Sequence, residues 1–86
     1  MTYSVKIKRS AAKALARIDS VDRARLVEKI DALAEHPHVG SALKGEWNGL
    51  RRVRVGTYRI VFEVRNDVLT ILVVRVGHRR GIDRNG

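Results

Sequence analysis

Hydrophobic and polar side chains alternate along residues 50–62, which predicts two β-strands joined by a tight turn. Gly56 opens a two-residue connection, the position at which a type II′ turn requires a positive φ. That turn places Arg54 directly opposite Arg59 in an antiparallel ladder. One face of the hairpin then carries Val53, Val55, Tyr58, Ile60 and Phe62. The other face, which we call the arginine face, carries Arg52, Arg54 and Arg59.

Two helices are predicted between a first strand and this hairpin. Residues 3–8 alternate as a strand does, and an apolar stripe at helical spacing follows Ser10, which can cap a helix through about Ile18. A second stripe begins after Asp19, another capping residue, and ends before Pro37 because the residue ahead of a proline disfavours helical geometry. Since each helix has one apolar face, both are expected to pack on the sheet.

The remaining segments add a loop and a last strand. Residues 37–49 follow no period and predict a loop, while residues 66–67 predict a second tight turn. Branched side chains over residues 68–76 predict a buried strand, and its parity puts His78 on the arginine face. A bulge near Gly77 would reverse that placement. The core-facing positions of this strand are expected to be Leu69, Ile71 and Val73.

These elements predict an α+β fold with the order β-α-α-β-β-β. We expect a small antiparallel sheet of about four strands, with the two N-terminal helices on one face and the arginines on the other. A chain of 86 residues is long enough for one modest core, so residues 1–86 are expected to form a single domain.

Charge narrows the range of partners. The sequence has 18 Lys and Arg against 9 acidic residues, a formal net charge of +9, which favours a polyanion such as a nucleic acid or an acidic protein. It has no cysteine, so it contains neither a disulfide framework nor a thiolate zinc site, and its His and acidic spacing suggests no metal. No signal peptide and no apolar run long enough to span a membrane is recognisable, so we expect a cytoplasmic protein.

Clustered guanidinium groups suit a phosphate, because each presents a planar fork of donors and never deprotonates. One hypothesis is that the arginines simply bind a phosphate. The more specific hypothesis is cleavage of RNA by attack of the 2′-hydroxyl on its own phosphodiester, because arginines can stabilise the negative charge that grows in that reaction. Histidine is the side chain suited to proton transfer near neutral pH, so His78 could protonate the leaving oxygen. Two alternatives remain open: the arginines form an ordinary solvated face, and His78 is an ordinary strand-end histidine.

At these residues the chain resembles the RelE/ParE superfamily of bacterial and archaeal toxins over nearly its whole length. The resemblance rests on three pieces in combination: Leu43-Lys44-Gly45, Leu50 through Ile60, and Val74-Arg75-Val76-Gly77-His78-Arg79-Arg80. It implies the RelE-like fold, an endoribonuclease that cuts messenger RNA in the ribosomal decoding site, and a cognate antitoxin protein. We expect no cofactor. A ParE-like inhibitor of DNA gyrase on the same fold is the alternative, and a module that only binds nucleic acid is a third.

The resemblance also implies roles by position. Arg52 and Arg54 would hold the RNA and help activate the 2′-hydroxyl, Arg59 would stabilise the transition-state phosphate, and Arg79 would lie near the leaving group. His78 matches a position that is often histidine or lysine. Further RNA contacts are expected from Lys44, Arg51, Arg80 and Arg84.

The sequence departs from the family pattern near its end. Asp83 stands where the ribonuclease branch usually has a tyrosine, and Gly81 stands where an acidic residue usually precedes it. A carboxylate cannot stack on a base and repels RNA, so a weakened enzyme is one expectation from this departure. The missing tyrosine also keeps the gyrase alternative open.

Overall fold

Two helices and a five-stranded sheet make up the fold, described for residues 2–78 in a computed structural model. In chain order the elements are β1 (Ser4–Ile7), α1 (Arg9–Ala16), α2 (Ser20–Leu33), β2 (Ser41–Ala42), a 3₁₀-helix (Gly45–Trp47), β3 (Leu50–Val55), β4 (Tyr58–Arg65) and β5 (Thr70–His78). The predicted α+β class and the order of the helices are confirmed.

The sheet has the strand order β1-β5-β4-β3-β2, with β4 at its centre. It differs from the predicted four-stranded antiparallel sheet in two ways. First, β1 pairs with β5 in parallel, although two helices and three strands separate them in the sequence. The added strand β2 pairs only Ser41 with Arg52 and Ala42 with Arg51, and two residues are too few for any periodicity to reveal.

A side-chain cap explains where α2 begins but not where α1 begins. Asp19 is the N-cap of α2 as predicted, and its side chain accepts a hydrogen bond from the Asp22 backbone N–H at 3.5 Å. The prediction that Ser10 caps α1 is wrong, because α1 already begins at Arg9 and its N-cap, Lys8, makes no side-chain capping bond. Neither helix in residues 2–78 is long and apolar enough to cross a membrane.

Both helices lie on one face of the sheet, and the hydrophobic core lies between the helices and that face. The contacts are apolar side chains at helical spacing packed against alternate strand positions, as the patterns predict. The buried cluster consists of Ala11, Leu15, Leu26, Ile30, Leu33, Val53, Ile60, Phe62, Ile71, Val73 and Val76. We call this side of the sheet the helix face, and the arginine face is the opposite side.

Of the two predicted turns between strands, the first is confirmed and the second is longer than predicted. Gly56 has φ +61°, and Thr57 after it is not among the described residues with positive φ. A positive φ at the first central residue alone is the mark of a type II′ turn, so that prediction is confirmed. The second connection is longer than predicted because Arg65 pairs with Thr70, which leaves four residues between the strands. Leu69 therefore lies in the turn with φ +47° and 37% exposure, and its predicted place in the core is wrong.

A β-bulge interrupts the pairing of β4 with β5. Val61 is opposite Arg75 whereas its neighbour Phe62 is opposite Val73, so Val74 is one extra residue on β5. An inserted residue reverses which face the following side chains occupy. Beyond the bulge, Arg75 is therefore on the arginine face and His78 on the helix face.

Candidate functional site

Two rows of the sheet bring arginines together on the arginine face. In the row nearest the hairpin turn, Arg54 is directly opposite Arg59, as the sequence predicts. In the next row, Arg52 and Arg75 are on either side of Val61. Opposed residues in antiparallel strands have Cα atoms only about 4.5–5.5 Å apart. The four side chains Arg52, Arg54, Arg59 and Arg75, which we call the arginine cluster, therefore share one small area.

Members of the cluster differ in exposure. Arg59, on the central strand, is only 3% exposed, whereas Arg54 is exposed at the end of β3. A guanidinium keeps its charge even when buried, and burial restricts the directions in which its donors can point. Arg59 thus supplies a permanent charge in a nearly fixed position, and Arg54 supplies one that can move.

Sequence reasoning missed Arg75 as a site residue. Its guanidinium carbon lies 5.3 Å from the centroid of the Trp47 ring, the geometry of a cation–π contact. The preceding run Leu72-Val73-Val74 has no polar residue to mark its parity, so the bulge left no local signal. Through this contact the Trp47 ring lies beside the arginine cluster.

Acidic residues are scarce in the three strands that carry the cluster. Glu63 is the one carboxylate in β3, β4 and β5, and it accepts a hydrogen bond from Arg65 Nε at 2.6 Å. This hydrogen bond, together with the charge of Glu63, raises the pKa of the Arg65 guanidinium. Both residues belong to the rows farther from the hairpin turn, so the strands leave the turn end of the arginine face positively charged.

The predicted position of His78 on the arginine face is wrong. The bulge at Val74 turns its ring to the helix face, where it meets Tyr58 edge-on with 4.7 Å between ring centroids and 62° between ring planes. Both rings line a cavity of about 390 Å³ together with Arg17 and Asp19. A phosphate bound at Arg59 would therefore be on the other side of the sheet from His78.

Two predicted RNA contacts also lie elsewhere. Arg51 shares the parity of the helix face, and its guanidinium donates to three backbone carbonyls after α2: His38 at 2.6 Å, Val39 at 3.3 Å and Gly40 at 3.3 Å. Arg51 therefore holds a loop with which no sequence pattern connects it, and its contact with RNA stays a prediction. Lys44 is the exposed N-cap of the 3₁₀-helix, beside the end of β3 that is farther from the hairpin turn.

The other predicted site residues, Arg79, Arg80 and Arg84, lie outside the described residues, as do Gly81 and Asp83. Within residues 2–78, no group of three or more His, Asp or Glu side chains is placed to hold a metal ion. The chemistry of the described site therefore rests on guanidinium groups and one aromatic ring.

Comparison with known proteins gave consistent matches. A sequence model of the family described as the ParE toxin of type II toxin–antitoxin systems, parDE, matches residues 5–82. A RelE-like toxin protein of Escherichia coli is 31% identical over 85 residues, covering 96% of this chain and 90% of that protein. Toxin RelG of Mycobacterium tuberculosis is 31% identical over 86 residues, covering 98% and 99%. The solved toxin–antitoxin complex RelBE2 of M. tuberculosis aligns with a TM-score of 0.85 at 30% identity, covering 92% of this chain and 100% of that one.

Proposed function

This chain belongs to the RelE/ParE superfamily, whose members are toxins of type II toxin–antitoxin systems, and from that premise we propose that it is a ribosome-dependent messenger RNA endonuclease. The observation that carries the proposal is the arginine cluster, in which Arg54 and Arg59 are directly opposed on the arginine face. Like charges in that relation destabilise a strand pair by up to about 1 kcal/mol, which a bound phosphate would offset.

The reaction needs charge stabilisation above all. The 2′-hydroxyl attacks the adjacent phosphorus, the bond to the 5′-oxygen breaks, and the products are a 2′,3′-cyclic phosphate and a 5′-hydroxyl. Negative charge grows on the phosphoryl oxygens on the way. In the proposal, nearly fixed Arg59 stabilises that charge, while Arg52 and Arg54 hold the RNA backbone and favour loss of the 2′-hydroxyl proton.

Proton transfer is assigned differently from the sequence-based expectation. The ring of His78 packs against Tyr58 on the helix face, away from the arginine cluster. The proposal therefore gives His78 no contact with the leaving oxygen. Because a guanidinium never deprotonates, water takes the 2′-hydroxyl proton and water protonates the leaving 5′-oxygen, while the arginines stabilise the charge on both. Arg79, outside the described residues, keeps the leaving-group role that the family resemblance implies.

Two macromolecular partners belong to the proposal. The solved relative from M. tuberculosis is a toxin–antitoxin complex, so we propose that a cognate antitoxin binds this chain as well. The second partner is the ribosome with its messenger RNA, to which a strongly cationic small protein with a formal charge of +9 would be attracted. The proposal includes no cofactor.

The decisive experiment adds purified protein to ribosomes programmed with a defined message and maps the new 5′ ends. We expect cleavage by the parent and a loss of at least about 10²-fold in rate with Arg59→Ala, since one donor aimed at a developing anion contributes that much. Arg65→Ala is the matched control, because Arg65 is on the same face but paired with Glu63. Intact message at stoichiometric parent protein would contradict the proposal.

A ParE-like inhibitor of DNA gyrase is the second candidate, favoured by the description of the matching family as ParE toxins and by Asp83 in place of tyrosine. A parallel gyrase reaction separates the two. Linear DNA trapped by gyrase in the presence of the protein, with messenger RNA left intact on ribosomes, would favour the gyrase target. Salt-dependent RNA binding with neither activity would favour a binding module.

A further inference from the structure

A groove of about 470 Å³ separates α2 from the turn end of the β3–β4 hairpin. On the helix side it is lined by Arg25, Glu28, Lys29 and Ala32, which follow one another at helical spacing. On the hairpin side it is lined by Arg54, Val55 and Gly56. Its volume falls in the range of about 300–1,000 Å³ typical of ligand sites.

Positive charge dominates this groove. Arg25, Lys29 and Arg54 contribute three cations against the single carboxylate of Glu28. Within residues 2–78, none of these three cations forms a salt bridge. An anion entering the groove would therefore meet cationic side chains from two elements without first displacing an acidic partner from them.

The groove is continuous with the arginine cluster through a shared residue. Arg54 lines the groove and is also directly opposite Arg59 on the sheet. The floor beside it is open, because a Cβ added to Gly56 would meet no atom within 4 Å. The groove is on the helix face, so a polyanionic chain lying on Arg59 would reach it around the edge of β3 at Arg54, which β2 leaves uncovered because it pairs only with Arg51 and Arg52.

We propose that this groove is a second phosphate subsite, in which Arg25 and Lys29 bind the RNA backbone next to the nucleotide held at Arg59. The choice of RNA as the occupant rests on the proposed function, because Arg54 serves both places. The subsite extends the RNA track from the sheet onto α2. Nothing in the sequence pattern marks Arg25 or Lys29, which occupy the polar side of an ordinary amphipathic helix.

Salt-dependent RNA binding tests the subsite directly. The probe is a 12-nucleotide 2′-O-methyl RNA, which lacks the attacking hydroxyl and cannot be cleaved, and its affinity is measured by fluorescence anisotropy between 50 and 200 mM salt. The test protein carries Arg25→Gln with Lys29→Gln. The control carries Arg9→Gln with Lys13→Gln, which removes the same charge at the same spacing from exposed positions of α1. Thermal melting checks that both variants fold.

Removing two phosphate contacts should lower the slope of log affinity against log salt by about 1.4, because each single-stranded contact contributes about 0.7. The loss of affinity between 50 and 200 mM salt then becomes about sevenfold smaller than for the parent. The control should keep the parent's slope. An equal change of slope in both variants would mean that RNA responds to the total charge of the protein and not to this groove, and would overturn the subsite. A slope equal to the parent's in the test variant would also overturn it.

Two further measurements separate this proposal from others. If the test substitutions weaken binding of a 12-residue polyglutamate peptide more than binding of the RNA, the groove serves an acidic protein and the RNA subsite is overturned. Ribosome cleavage by the parent is measured in parallel. Absence of cleavage with a reduced RNA slope would defeat only the proposed enzyme activity, whereas normal cleavage with an unchanged slope would defeat only the subsite.

Discussion

Arg59 and Arg54 form a cross-strand pair whose two members differ in mobility. Arg59 is almost completely buried on the central strand, while Arg54 is exposed at the hairpin turn. Donors that are fixed before the reaction stabilise a transition state more than donors that must be ordered during it. We therefore expect Arg59 to act on the reacting phosphate and Arg54 to contribute mainly to holding RNA.

The position of His78 leads to a prediction about catalysis. Replacing it with glutamine should leave the single-turnover rate of message cleavage on ribosomes within about twofold of the parent, because its ring packs on Tyr58 across the sheet from the arginine cluster. The Arg59→Ala variant is measured in the same series as the control, because its cleavage rate shows the effect of losing a residue that acts on the phosphate. A fall of about 10²-fold for His78→Gln would return the histidine to the role of general acid.

Asp22 leads to a prediction about pH. A hydrogen bond with the Asp19 side chain raises the pKa of Asp22 above its ordinary value of 3.8, with smaller contributions from burial and the charge of Asp19, against the charges of Arg25 and His78. A carboxyl with a raised folded-state pKa binds its proton more tightly in the folded chain. Its stabilising contribution is complete below the unfolded value and is lost as the pH rises through the folded one.

The free energy of unfolding of the parent should therefore fall relative to that of Asp22→Asn as the pH rises from about 3 to about 5.5, below the range in which histidines titrate. Urea denaturation of both proteins at several pH values measures the difference. A difference that stays constant, or that grows in the parent's favour with rising pH, would contradict the raised pKa.

Among the elements, β3 depends on the loop that follows α2. Gly40 approaches the strand so closely that a Cβ there would lie 2.0 Å from the backbone oxygen of Arg52, and its φ of +76° is one that residues with a Cβ rarely adopt. The guanidinium of Arg51 holds the same loop through three carbonyls. Loop and strand thus fix each other, and Arg52 is positioned by both.

Gly40→Ala should lower the free energy of unfolding by more than about 3 kcal/mol, because the left-handed backbone adds about 1–2 kcal/mol of strain and the clash with Arg52 adds more. Gly45→Ala is the matched control, since Gly45 has φ +68° but a Cβ there meets nothing within 4 Å. The control should lose only about 1–2 kcal/mol. Equal losses in urea denaturation would show that the close approach is not what makes Gly40 necessary.

For the whole molecule, the sheet separates two tasks. Its helix face buries the apolar cluster that holds the chain together, and its other face gathers the arginine cluster. Destabilising like charges on one face are tolerated because the opposite face supplies most of the apolar burial. The net charge of +9 extends the same sign of potential over the surface.

Affinity for RNA should therefore depend steeply on salt. Four phosphate contacts, one for each member of the arginine cluster, predict a loss of at least about fiftyfold in affinity between 50 and 200 mM salt for single-stranded RNA. The uncleavable 2′-O-methyl oligonucleotide provides the measurement. A loss of less than about fourfold would mean that fewer than two phosphates are contacted and that the cluster does not bind RNA as a unit.

Much of the fold was predictable because its signals are local. The turn at Gly56 and the cap at Asp19 are properties of a few consecutive residues, and each appears where the sequence indicates. The longer turn that exposes Leu69 and the pairing of β1 beside β5 were not predictable. The length of the turn depends on the register in which β4 and β5 pair, and the place of β1 depends on which distant strand it meets; no local period records either choice.

The sequence by itself determined that Arg52, Arg54 and Arg59 share one face of a hairpin, because alternation along a strand and the register of a two-residue turn are short-range geometry. Only the tertiary structure decided that Arg75 joins them and that His78 does not. The reason is the extra residue at Val74, whose effect arises from the pairing of β5 with β4. A bulge reverses side-chain parity without changing residue order, so the strand's own sequence carries no trace of it.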